Sequence, residues 1–399
     1  MFINKKINLI NRDHNLTFKI NTGLNPLIKT VYNHILYYPT PLNLNYNWSF
    51  GSLSGLFFVF QIISGVFLAM HYIPNVELAF WSVEHIMRDV HYGWLLRYAH
   101  SNGASFIFIF IYCHILKGIY FRSYLPGTSK NILFSVGVII FILMMGTAFI
   151  GYVLPWGQMS LWGATVITSL ITAIPLIGNT IAYVVWGGYS VGNATLNRFF
   201  SIHFILPFII IGIVFLHLLL LHIKGSTNTL GIVSNRDKIY FHPYFTIKDL
   251  FSFFLASFGF FLIVCFYPNL LGHPDNYIMA NSLVTPAHIV PEWYFLPFYA
   301  ILRAIPDKVG GVLAMFFSII ILIFLPFLDK SPLKGPNFKF FLKFFFIIFV
   351  SNFIFLGFLG GSPAEEPFIF FSRVCSILYF FYFILIIPIF TRIEFNIVY

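Results

Sequence analysis

Eight apolar runs, each about 20 residues long, constrain this chain more than any other feature. They fall near residues 50–73, 98–121, 132–154, 199–222, 249–267, 309–328, 338–359 and 368–390. At about 1.5 Å per residue, a helix of that length crosses a hydrocarbon core of roughly 30 Å. Inside hydrocarbon every backbone N–H and C=O must bond within its own segment, so runs of this kind can only be helices. The expected fold is therefore all-α: a polytopic membrane protein with eight transmembrane helices. Composition agrees. Charged residues make up 9% of the chain, against about 25% in a soluble domain. Hydrophobic residues make up 59%, including 53 Phe, more than a soluble interior of this size hides. Disordered, collagen-like, coiled-coil and disulfide-framework classes are excluded by the same numbers. Cys113, Cys265 and Cys375 stand in apolar runs with no CxxC or CxxCH spacing, as reduced packing residues do.

Lys and Arg set the orientation. An even number of spans puts both termini on one side. The other side carries only Arg88, Arg97, Arg198, Arg303, Lys308 and Arg373, which leaves 17 of 23 basic residues with the termini. The termini are thus expected on the negative side, and the net charge of +10 reads as a topology signal with no nucleic-acid partner. The polar, Asn-rich first 45 residues show no secretory signal peptide, and 27–38 is a candidate surface amphipathic helix. Three regions are expected: 1–45, a polar negative-side segment; 46–225, a four-helix bundle; and 226–399, a second four-helix region. The two long connections on the positive side, about 155–198 and 268–308, carry Pro, Gly and aromatic residues, and loops of that length are usually functional. Enrichment in Phe, Ile, Asn, Lys and Tyr has the pattern of AT-biased coding and hints at an organellar genome.

Histidine within a span is costly and usually functional. The second span holds His100 and His114, the fourth His203 and His217, each pair 14 residues apart. Fourteen residues are two heptads, so both members of a pair face one way, about 21 Å apart along the axis. The two spans run in the same direction. His100 and His203 therefore share an upper depth near the positive side, and His114 and His217 a lower one. Gly51 and Gly65 on the first span, and Gly137 and Gly151 on the third, repeat the 14-residue spacing and allow close approach at the same two depths. Imidazole is a common ligand of haem iron. The pattern fits a di-haem bundle with two bis-His, non-covalently held haems. Arg97, Arg198 and Lys117 are cations near the histidines, suited to propionate groups. Two histidines per iron leave no open position, which favours electron transfer.

At this point the sequence resembles a known family, the cytochrome b of cytochrome bc complexes (respiratory complex III, mitochondrial type), across essentially residues 45–390. The resemblance is carried by Asn47-Trp48-Ser49-Phe50-Gly51-Ser52, Gly151-Tyr152-Val153-Leu154-Pro155-Trp156-Gly157-Gln158, Gly163-Ala164-Thr165-Val166-Ile167-Thr168, Arg198-Phe199-Phe200 ahead of His203, and Pro291-Glu292-Trp293-Tyr294. It implies a quinol–cytochrome c reductase subunit with His100 and His203 on a low-potential b-type haem and His114 and His217 on a high-potential one. It also implies ubiquinol oxidation at the positive side, by Phe149, Tyr152, Gly163, Ala164, Glu292 and Tyr299. Ubiquinone reduction is implied at the negative side, by Ser52, His222, Lys248 and Asp249, with Asp249 opening the fifth helix. The implied partners are a Rieske iron–sulfur protein, a membrane-anchored c-type cytochrome, other complex III subunits, lipid and a second copy of the complex. The implied place is the mitochondrial inner membrane, with the bacterial plasma membrane as alternative. Lys117 stands where the family often has Arg, which turns a bidentate pairing into a point contact, and Ser49 where some members have Asn. Two other readings compete. A flavin-linked transmembrane haem reductase would need a soluble nucleotide domain that has no candidate segment here. A proton-coupled transporter would explain buried ionisable residues but not the 14-residue register on four helices.

Overall fold

A computed structural model describes residue 29 and residues 32–125, 132–232, 234–331, 335–337 and 339–398. Lys5, Lys6, Arg12, Lys19, Lys130 and Lys334 of the charge count lie outside the described residues, as does most of the 1–45 segment. Of the candidate amphipathic stretch, a π-helical turn is described at Tyr32–Leu36.

In chain order the helices are α1 (Phe50–Ala69), α2 (Ala79–Arg88), α3 (Gly93–Tyr120), α4 (Ile132–Val153), α5 (Gln158–Ser169), α6 (Gly178–Trp186), α7 (Asn193–Lys224), α8 (Tyr244–Phe266), α9 (Leu296–Ala304), α10 (Lys308–Leu328), α11 (Phe340–Gly361) and α12 (Phe368–Phe381). A π-helical turn, Tyr382–Ile386, carries α12 on into α13 (Ile387–Val398). Among the described residues eight helices are long and apolar enough to cross a membrane: α1, α3, α4, α7, α8, α10, α11 and the α12–α13 unit. The only strands among the described residues are Pro39–Pro41 and Lys238–Tyr240, an antiparallel pair with Thr40 opposite Ile239.

One boundary moves a candidate residue. Helix α8 starts at Tyr244, after Pro243, so Asp249 sits in its second turn and does not open the helix. The polar residues Thr246, Lys248 and Asp249 lower the local hydropathy, which makes an apolar run look shorter than the helix that contains it. The two long connections, expected on the positive side, are also more regular than loops. They contain α5, α6 and α9, and α2 occupies the link between the first two spans. Pro155 follows the end of α4, where a proline cannot continue a helix. Pro297 sits in the first turn of α9, where its missing N–H costs nothing. The Asp307 carboxylate accepts from the Gly310 N–H at 2.6 Å and caps α10.

The first four spans form two tight pairs, α1 along α3 and α4 along α7, and α8 leans on α3 and α1. The last three spanning units close on an aromatic core, where Phe349 stacks on Tyr382 at 4.4 Å with Phe383 edge-on at 5.2 Å. At the end that holds α2, α5, α6 and α9, here the upper end, the two long connections are zipped together. Gln158 N–H donates to Ile278 O at 2.9 Å, Ala280 N–H to Trp156 O at 3.0 Å, and Ser160 N–H to Asn276 Oδ1 at 2.9 Å. A Cβ at Gly157 would run into Asn276, so this approach requires glycine. At the lower end Arg122, in the left-handed region at φ 53°, pairs with the buried Asp329 at 3.1 Å. Tyr124 donates to the same carboxylate at 2.9 Å. The pair ties the segment after α3 to the segment after α10.

Candidate functional site

The four histidines meet in two layers inside the first four spans. In the upper layer the rings of His100 and His203 lie 6.4 Å apart, centre to centre, and nearly perpendicular at 86°. A metal–nitrogen bond of about 2 Å on each side, plus about 1 Å from each nitrogen to its ring centre, spans roughly 6 Å. The pair therefore fits one iron between two imidazoles. The hydrogen bond of the His203 ring agrees. Thr147 O, which can only accept, lies 2.9 Å from His203 Nδ1, so the proton sits on Nδ1 and the Nε2 lone pair is left for a metal.

Each of the four glycines faces one of the histidine rings. A Cβ at Gly65 would stand 3.0 Å from His100 Cε1, and one at Gly51 3.0 Å from His114 Cε1. A Cβ at Gly137 would stand 3.2 Å from His217 Cε1, and one at Gly151 would collide with three ring atoms of His203. The shared 14-residue period is thus a glycine-to-histidine pairing between helices: α1 makes room for the α3 histidines and α4 for the α7 histidines. In the lower layer His114 Nδ1 is buried without a hydrogen-bond partner, as a site built for more than packing would leave it.

A cavity of about 290 Å³ opens between the pairs at the upper layer, lined by His100, His203, Gly65, Gly151, Arg97, Tyr152 and Glu292 among others. Burial pushes the Glu292 carboxyl up to about 7, against the opposing pull of the Tyr152 hydroxyl and the Arg97 guanidinium beside it. The Glu292 segment is mounted on α3. Trp293 Nε1 donates to Ser105 Oγ at 3.0 Å, Tyr294 stacks on Phe108 at 4.1 Å with the rings 3° from parallel, and the Tyr112 hydroxyl donates to Tyr294 O.

The remaining candidates divide. Phe149 and Ala164 belong to an adjoining apolar cluster with Val153, Trp156 and Phe199, and Gly163 faces open space. The Tyr299 hydroxyl donates to Ile289 O at 3.3 Å, with the Arg303 guanidinium over its ring at 4.8 Å. None of these four lines the cavity. Arg198 is not brought to it either. Its guanidinium donates to Val184 O, and to Val185 O at 3.5 Å, closing the C-terminal end of α6. Lys117 holds its ammonium 4.9 Å over the Trp48 ring. At the lower end the His222 ring stacks on His34 at 5.0 Å, with their Nδ1 atoms 3.1 Å apart. Lys248 Nζ donates to Leu44 O at 2.7 Å, and Ser52 Oγ to Ser49 O at 2.9 Å. Sequence reasoning missed Ser64, Gln61 and Tyr277. Ser64 and Gln61 bond to His100, and Tyr277 lines the cavity. The signal for the first two was polarity within an apolar span, one and four residues before Gly65.

A membrane-embedded four-helix bundle with two layers of facing histidines, and a buried acid beside one layer, defines a transmembrane haem protein of electron transfer. Residues 35–225 match the family described as Cytochrome b/b6/petB, and residues 279–380 the one described as Cytochrome b(C-terminal)/b6/petD. The chain is 54% identical over 369 residues to the cytochrome b of Chondrus crispus, covering 92% of this chain and 96% of that one. It is 56% identical over 363 residues to the cytochrome b of Rickettsia bellii, covering 90% of each. A solved structure titled "Hyperthermophilic respiratory Complex III" superposes with a TM-score of 0.87 at 33% identity, over 93% of this chain and 98% of that one. The chain belongs to the cytochrome b family, the catalytic b-haem subunit of respiratory complex III, quinol–cytochrome c reductase. That membership leaves no place for the transporter or flavin-linked reductase readings.

Proposed function

We propose that this chain holds two bis-His b-type haems and works two quinone sites at opposite ends of the bundle. His100 and His203 would ligate the upper, low-potential haem, and His114 and His217 the lower, high-potential one. Bound there, the haems supply a one-electron path between the two depths. The observation that carries the reading is the perpendicular His100–His203 pair in the same cavity as Glu292 and Tyr152. Arg97, which lines that cavity, is better placed than Arg198 to face a propionate; Lys117 serves the lower layer.

At the upper end Glu292 accepts a proton from ubiquinol. Its raised affinity for a proton suits a group that must take one near neutral pH. Tyr152 and Arg97 orient it, and the zipped connections keep bulk water from the ring. Phe149, Gly163, Ala164 and Tyr299 shape the neighbouring apolar wall. At the lower end His222 and Asp249 supply protons to ubiquinone, and Ser52 and Lys248 hold it. The basic excess at the termini supports a matrix-side lower end in the mitochondrial inner membrane. A Rieske iron–sulfur protein would take one electron at the upper end and a membrane-anchored c-type cytochrome would receive it, within a dimeric complex.

Anaerobic redox titration of the purified complex, followed in the visible spectrum, tests the reading. Two b-type components with separate potentials are expected. A single component, or none, overturns it.

A further inference from the structure

The two upper histidines are held by different kinds of partner. His203 gives its Nδ1 proton to a backbone carbonyl, Thr147 O. His100 has a side chain instead: Ser64 Oγ lies 2.8 Å from His100 Nδ1. Ser64 is only 2% exposed, so water does not compete for the hydroxyl. Its single proton is already committed within α1, toward Phe60 O at 2.8 Å and Gln61 O at 3.2 Å. With that proton on a backbone carbonyl, Oγ turns a lone pair to the ring, the arrangement in which His100 carries its proton on Nδ1 and leaves the Nε2 lone pair free. One helical turn back on α1, Gln61 Nε2 donates to His100 O at 2.8 Å, so the same helix grips both the backbone and the ring of this histidine.

We propose that Ser64 is a positioning residue that fixes the tautomer and electron-donor strength of His100 and so tunes the potential of the upper haem. The inference rests on the bis-His reading above. A donated Nδ1–H makes the imidazole a stronger donor and favours the oxidised metal. Among the described partners of the two upper rings, this is the one that a single side-chain substitution removes.

The test is redox titration and low-temperature electron paramagnetic resonance of the assembled complex carrying Ser64→Ala or Ser64→Thr. Ser64→Ala is expected to move the upper haem's potential in the positive direction, shift its resonance and weaken haem retention about 10–100-fold, with the lower haem unchanged. Ser64→Thr keeps the hydroxyl and is expected to restore all three. The lower haem reports on folding within the same sample. An unshifted upper potential and resonance in Ser64→Ala, with both haems present, overturns the inference. So does equal displacement in Ser64→Thr and Ser64→Ala. If His100→Ala retained the upper haem, the bis-His reading itself would fail, which is a separate outcome.

Discussion

The two ends of the bundle are built differently. The upper end is assembled before any substrate arrives: His100, His203, Arg97, Tyr152 and Glu292 line one cavity, roofed by connections that hydrogen-bond to each other. Three of the four lower candidates are engaged elsewhere. His222 leans on His34, Lys248 reaches Leu44 O, and Ser52 bonds within its own turn. A group that must take a proton in a water-poor pocket needs its pKa set in advance. A group that delivers protons drawn from the aqueous side can stay half-exposed and be refilled. On the two-site proposal, the difference predicts a rigid oxidation site at the upper end and an adaptable reduction site at the lower.

The largest effects separate the two layers. His203→Ala should remove the upper haem alone and His217→Ala the lower one alone, checked by haem counting and redox titration. Loss of the same component in both variants would break the comparison at its root. Next, Gly151→Leu should strip the upper haem, because the added side chain would drive into the His203 ring. Leu154→Ala should leave it, since it removes only apolar bulk from the cavity wall and keeps the backbone carbonyl that accepts from Tyr72 at 2.6 Å. Equal haem content in these two variants would remove the steric argument.

Smaller effects test the proton groups. Glu292→Gln should slow quinol oxidation by about 100-fold with both haems intact. The carboxyl is raised to about 7 and accepts a proton only when ionised. The wild-type rate should therefore climb as pH rises through about 7, and the Gln variant should lose that step. A pre-steady-state pH profile of haem reduction decides it. Asp249→Asn should leave that first reduction unchanged and slow re-oxidation by quinone by a smaller factor, because water reaches a half-buried carboxylate. If Asp249→Asn slowed upper-end reduction as much as Glu292→Gln does, the two ends would not be distinct sites.

Much of this was legible in the sequence. The spans followed from apolar length, and the histidine layers from a period on helices whose parallel course the span count fixed. The pairing of Gly51 with His114 and Gly65 with His100 was visible as matched spacing, though not as ring contact, because spacing gives depth and not which atom fills the gap. Helix α2 escaped notice since its ten residues are too few to make a span and its apolar residues Phe80, Val83, Ile86 and Met87 form a stripe, not a run. The contacts of Arg198 with Val184 O and Val185 O could not be read, because a guanidinium near a helix start serves a loop carbonyl as well as a ligand. The start of α8 was misplaced for the same reason that Asp249 is interesting: polar residues there belong to the helix and the interface at once.

The mounting of the Glu292 segment on α3 has a consequence for genetics. Ser105, Phe108 and Tyr112 read as ordinary lining of a helix that carries two histidines, yet they hold Trp293 and Tyr294 from far along the chain. Lesions at Tyr112 would be inherited as faults of a distant loop, with normal haem and slow quinol oxidation. Second-site revertants of such lesions should then cluster in residues 291–299, and not around the histidines on the helix where the first change lies.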